Sequence, residues 1–137
     1  MTRECSLLYV SRVTIDPVRR DAEFAAIIAH AHAYNPTVGI TGGLVRAKNW
    51  FAQLLEGSTD AVDTLMQSIA RDTRHADVTI LRVRPQNTRR LGGWSMAYAG
   101  EWNYTAQNIA DVFGHGLNVD EQKIDRLDKM IVDFASA

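Results

Sequence analysis

One cysteine, Cys5, stands among 137 residues, so no disulfide can form within the chain. No apolar run is long enough to span a bilayer or to serve as a signal-peptide core, and a cytoplasmic setting without membrane contact is expected. Excess charge is missing too. Fifteen basic against sixteen acidic side chains leave a net charge of -1, so no overall field steers the molecule towards nucleic acid, which is not expected as a direct partner. The chain lacks a Walker-type loop, a G-x-S-x-G elbow, an HExxH pair and a G-x-G-x-x-G signature, and Gly39, Gly42 and Gly43 do not mimic the last. A dedicated enzyme is therefore not expected. Of the four histidines, His30 and His32 sit two apart on a predicted helix and point to different sides, so no metal site is expected.

What is present is the balance of a packed globular chain, with 46% hydrophobic and 23% charged residues. The length fits one domain with a tail. Residues 5 to 11 are apolar and rich in strand formers, and alternation puts Leu7, Tyr9 and Ser11 on one face of a first strand. Asp16-Pro17 predicts a helix start, Phe24, Ile27, Ile28 and Ala31 recur at helical spacing, and Pro36 stops that helix near Asn35. A second strand runs from about Val38 to Val45, and Ala47-Lys48-Asn49 turns the chain into a third, residues 50 to 55. That strand is apolar on both faces, so something must cover each.

Ser58 is placed to cap a second helix whose stripe is Val62, Leu65, Met66 and Ile69. Residues 78 to 83 predict a fourth strand, and 94 to 98 a short fifth. The order βαββαββ makes an α+β, ferredoxin-like fold with both helices on one sheet face. Helices expected over residues 104 to 113 and 120 to 135 cap the other, with Gly114-His115-Gly116 as the loop between them. The second carries the stripe Ile124, Leu127, Ile131, Phe134.

Gln53 is the residue most in need of explanation, because a buried amide without partners costs roughly 1–3 kcal/mol. Tyr9, mid-strand with a phenol that also needs a partner when buried, is the candidate to meet it. Physics alone leaves open a hydrogen bond that serves only fold specificity.

The segments 8–11, Asn35 with 39–42, 51–57, 71–75 and 94–96 read LYVS, N with GITG, FAQLLEG, RDTRH and WSM. In order and spacing they resemble the BLUF family of blue-light sensors using FAD, over about residues 5 to 100. The resemblance implies a flavin-binding domain over residues 1–100 and a C-terminal helical cap or signalling extension over 101–137. It implies FAD held non-covalently, with FMN or riboflavin as substitutes. Tyr9 matches the electron donor to the excited flavin and Gln53 the glutamine bridging tyrosine and ring. Asn35 matches a residue bonding the ring's polar edge, and Ile27 one flanking the ring. Arg74 and His75 match positions near the flavin at the far helix end, and Trp94 and Met96 a pair on the last strand that reports the light state. The implied event is photochemical, not turnover: an electron leaves Tyr9, a proton passes through Gln53, and the Gln53 amide ends rotated or tautomerised. Three departures stand out: Gly42-Gly43 interrupts a usually longer apolar run, Leu91 replaces a frequent aromatic, and Ala31 replaces a commonly polar helix residue.

Two rivals start from the same topology. A small phosphate-handling enzyme would use Arg12, Arg46 and Asn49, but no motif joins them. An RNA-binding module would need an aromatic-rich open sheet face, and Arg82, Arg84, Arg89 and Arg90 read instead as a solvated basic edge. A flavin-free interaction module is a further alternative, opposed by the intact Tyr9, Asn35 and Gln53. The expected partners are an unidentified downstream protein and a second copy of the chain.

Overall fold

The computed structural model describes residues 3–47, 49–99 and 121–136. In chain order these form β1 (Glu4–Val13), a 3-10 turn (Pro17–Arg19), α1 (Arg20–Tyr34), a second 3-10 turn (Asn35–Val38), β2 (Thr41–Ala47), β3 (Trp50–Ser58), α2 (Thr59–Arg71), β4 (His75–Pro85), β5 (Ala97–Ala99) and α3 (Glu121–Ser136). The sheet order is β4-β1-β3-β2-β5, antiparallel except for β5, which runs parallel to β2. This is the expected ferredoxin-like arrangement with one short strand added at the β2 edge.

Local chemistry explains most boundaries. Asp16 accepts from the Val18 amide at 2.9 Å and so caps the first 3-10 turn, which delays the α-helical part of this segment to Arg20. Ser58 caps α2 as expected, its hydroxyl accepting from the Ala61 amide at 3.1 Å. The expected fifth strand over residues 94–98 is corrected to Ala97–Ala99. Trp94 closes a turn on Leu91 and the Ser95 carbonyl accepts from the Asn35 side chain, so these backbone groups are spent before the ladder begins. The expected helix over 104–113 and the loop at 114–116 lie outside the described residues.

Both faces of β1 and β3 are buried, which answers the two-sided apolar pattern of β3. Leu7, Tyr9, Phe51 and Leu55 pack with Phe24 of α1 and Val62 and Met66 of α2. Leu8, Val10, Ala52 and Leu54 pack on the opposite side with Ile124, Leu127 and Ile131 of α3. Leu127 and Ile131 are completely buried, each worth about 1.5–3 kcal/mol in removed apolar surface. Gly43 admits this helix: a Cβ there would lie 2.8 Å from Ile131 Cγ2.

The basic cluster is the second correction. Arg82 Nη2 lies 2.7 Å from both Glu121 and Asp125, Arg90 donates both terminal nitrogens to Asp128, and Arg89 grips Glu4 with Nε and Nη2. It is thus no freely solvated edge: arginine forks bind carboxylates, chiefly on α3. Fully buried Glu56 anchors the same region, accepting from Thr41, Gln86 and the amides of Arg90 and Leu91.

Candidate functional site

Between α1, α2 and the sheet lies an open-mouthed cleft of about 100 Å³. Its walls are apolar: Ile27 and Ala31 from α1, Leu65 and Ile69 from α2, Leu44 and Phe51 from the sheet. The α2 stripe explains this, because Val62 and Met66 are buried against the sheet while Leu65 and Ile69, one step round the helix, are only partly covered.

Tyr9 and Gln53 are register partners on β1 and β3 and project together into the cleft floor. The phenol donates to Gln53 Oε1. The amide nitrogen then points the other way and donates to Met96 Sδ at 3.7 Å, a weak bond to a soft acceptor. Burial foremost, and then the charge of Asp72, pushes the Tyr9 phenol far above the ordinary tyrosine range. Tyr9 is therefore a neutral donor. Asn35, at the end of α1, is buried on the cleft wall and donates to the Ser95 carbonyl at 2.8 Å. His32 meets the Ser95 hydroxyl at 2.7 Å, so one residue of the 92–96 loop is fastened twice to α1.

The remaining sequence candidates divide. Ile27 and Met96 line the cleft, whereas Trp94 is half exposed and does not. His75 opens β4 and does not end a helix, since α2 stops at Arg71. Its Nε2 meets the Ile69 carbonyl at 2.6 Å and its Nδ1 meets Ser11 Oγ at 2.7 Å. A carbonyl can only accept, so Nε2 carries a proton and donates to Ile69. Arg74 lines the cleft mouth, but its fork is closed on Asp72, with Nε to Oδ1 at 2.9 Å and Nη2 to Oδ2 at 2.6 Å, and Glu23 stands 3.7 Å from Nη1. The Arg74 bond holds the Asp72 carboxyl below its ordinary range, and Asp72 raises Arg74 in return.

Sequence reading missed Asp72, Phe51, Leu65 and Ile69 as cleft residues. Asp72 lay within the matched RDTRH run, and the two α2 residues lay on the stripe already assigned to the core. The complete lining suits a flat ring system with apolar faces and one polar edge: apolar side chains stand on both sides, and the Gln53 and Asn35 amides supply the edge. It suits an anionic tail less well, because the nearest cation is already paired.

Comparisons with known proteins agree with this geometry. Residues 5–97 match the BLUF family model, described as sensors of blue-light using FAD. The photoactivated adenylate cyclase subunit beta of Euglena gracilis is 36% identical over 101 residues, covering 74% of this chain and 11% of that protein. The chain thus spans a small part of that relative's length. The dark-state structure of BlrB, a BLUF protein, has a TM-score of 0.76 at 28% identity and covers 100% of this chain and 99% of its own. Klebsiella pneumoniae BlrP1 with FMN and cyclic diGMP has a TM-score of 0.68 at 28% identity, over 97% of this chain and 34% of that one.

Proposed function

The chain belongs to the BLUF family, sensors of blue-light using FAD, and we propose that its cleft holds FAD non-covalently and that light rearranges the hydrogen bonds of Gln53. The carrying observation is the Tyr9–Gln53–Met96 chain of contacts on the cleft floor. Ile27, Leu65 and Ile69 would hold the ring faces, and Gln53 and Asn35 its polar edge. A non-covalent mode is supported because Cys5 is buried beside Thr59 and does not line the cleft. FMN or riboflavin would use the same ring contacts.

A bound flavin would supply blue-light absorption and an excited state able to accept an electron. Tyr9 would be the donor in this reading, and the electron and its proton would return to Tyr9 once the Gln53 amide has turned, so that no net oxidation remains. A phenol that has lost an electron is strongly acidic, and the acceptor in contact with its proton is Gln53 Oε1. An amide has distinct donor and acceptor ends, so turning it inverts a buried pattern without moving the backbone. Turned, Gln53 would offer its NH₂ to the Tyr9 oxygen and its oxygen to Met96 Sδ, which would lose its donor.

The chain then acts as a sensor with no turnover of its own, passing the change to a separate effector protein, with residues 1–100 as the flavin unit, residues 101–137 as the signalling extension and a homo-oligomer as the assembly. No described helix is long and apolar enough to cross a membrane. A visible spectrum tests the reading. A yellow sample should shift reversibly to the red under blue light and release free flavin on denaturation. Flavin retained by the precipitated chain would overturn the non-covalent mode, and a colourless protein after reconstitution would overturn flavin binding.

A further inference from the structure

We propose that Arg90 is the residue through which a change at Gln53 reaches α3; the proposal rests on the light-sensing reading of the cleft. Gln53 and Glu56 lie three positions apart on β3 and face opposite sides of the sheet. Both hold the chain between β4 and β5. Glu56 fixes its first half, accepting from the Arg90 amide at 2.8 Å and the Leu91 amide at 2.9 Å. Gln53 holds its last residue, Met96, by a weak N–H to sulfur contact. Between these points Trp94 turns on Leu91 and its carbonyl accepts from the Gly42 amide.

Within this short run, the Arg90 side chain crosses to α3. It is two-thirds buried and gives both terminal nitrogens to Asp128, itself nearly fully buried, while Arg84 stands at 4.0 Å from the same carboxylate. A paired charge at that depth is costly to disturb, so its two partners move together or lose the bond. Arg82 offers the same chemistry to Glu121 and Asp125, but it sits in β4 opposite Leu8, where the β1 ladder holds it. It has no such connection to Met96. Coupling requires that the two states differ in contacts, and here the differing contact is the Met96 anchor. With Gln53 turned, the run keeps its Glu56 contacts and its Ser95 bonds to α1 and loses the Met96 side-chain contact, and the Arg90–Asp128 bond transmits the resulting shift.

Hydrogen exchange in residues 121–136, measured on the full flavin-loaded chain in darkness and under blue light, tests this. The unsubstituted chain should show dark and lit rates differing by about five-fold or more. Arg90→Gln keeps the backbone amide for Glu56, so it should keep the spectral shift and bring that ratio near unity. Arg82→Gln should quicken α3 exchange in both states and leave the ratio. Asp128→Ala removes both acceptors of Arg90 from the helix side and substitutes for Arg90→Gln if that variant does not fold. A ratio that survives loss of the Arg90–Asp128 bond, or equal exchange in dark and light with the spectral shift present, overturns the proposal. Absence of any spectral shift in the unsubstituted chain overturns the light-sensing reading, and the proposal with it.

Discussion

Tyr9 and Gln53 stand directly opposite each other in the β1–β3 ladder, and the phenol spends its one proton on the amide oxygen. Neither side chain is needed to enclose a ring, because Ile27, Leu65 and Ile69 supply the apolar contact. Tyr9→Phe and Gln53→Leu are therefore expected to retain flavin and lose the red-shifted state. Illuminated absorption spectra of the two variants check this, and a normal photocycle in either would exclude the proposed proton route.

Asn35 has a different part, since it presents a buried amide to the cleft and also fastens Ser95. Asn35→Ala removes a hydrogen bond worth about 1 kcal/mol, which weakens flavin binding about five-fold. Riboflavin titration followed by fluorescence quenching gives the dissociation constant. An unchanged constant would assign Asn35 to the Ser95 loop alone.

Much of this was legible in the sequence because the signals were local. Two-residue alternation located Tyr9 and Gln53, the apolar β3 required two covering layers, and Ser58 announced α2. What stayed hidden depended on partners distant in the chain. Arg82 and Arg90 looked like a wet edge until Glu121, Asp125 and Asp128 arrived from a helix some forty residues on. The fifth strand was drawn too early because the Ser95 carbonyl is taken by Asn35, sixty residues back. The Asp72 fork that closes on Arg74 was not foreseen, because propensity is blind to a pairing two positions apart.

That fork gives the fold a dependence on acid. The Asp72 carboxyl lies below its ordinary value of 3.8, chiefly through the Arg74 hydrogen bond, and the Glu4 carboxyl lies below 4.5, chiefly through Arg89. Lowered folded-state values mean that both contribute stability above the ordinary carboxylate range, which is lost as pH falls through the folded values. Melting temperature should thus drop from about pH 5 to about pH 3, and drop less steeply in Asp72→Asn. Parallel slopes would show that the pair adds nothing to the fold, as exposed pairs often do.

Gly43 offers a test of how α3 is seated. Gly43→Ala places a methyl against Ile131 Cγ2 and should destabilise by about 1–3 kcal/mol. Ile131→Ala alone should cost about 2–5 kcal/mol. The double variant should cost clearly less than the sum, because the second change vacates the space the first needs. At Gly42 the obstacle is the Leu54 carbonyl, so no side-chain change should rescue Gly42→Ala. Strict additivity at 43 and 131, measured by denaturant unfolding, would place α3 elsewhere in solution.

The odd spacing of Gln53 and Glu56 on one strand also constrains how this chain can evolve. Adding or deleting one residue between them would bring both polar groups to the same side of the sheet, stranding one in an apolar layer and reversing every side chain beyond it. Length variation among descendants should therefore be barred from residues 53–56 and be found instead in the connection between β2 and β3 or in segments that neither residue holds.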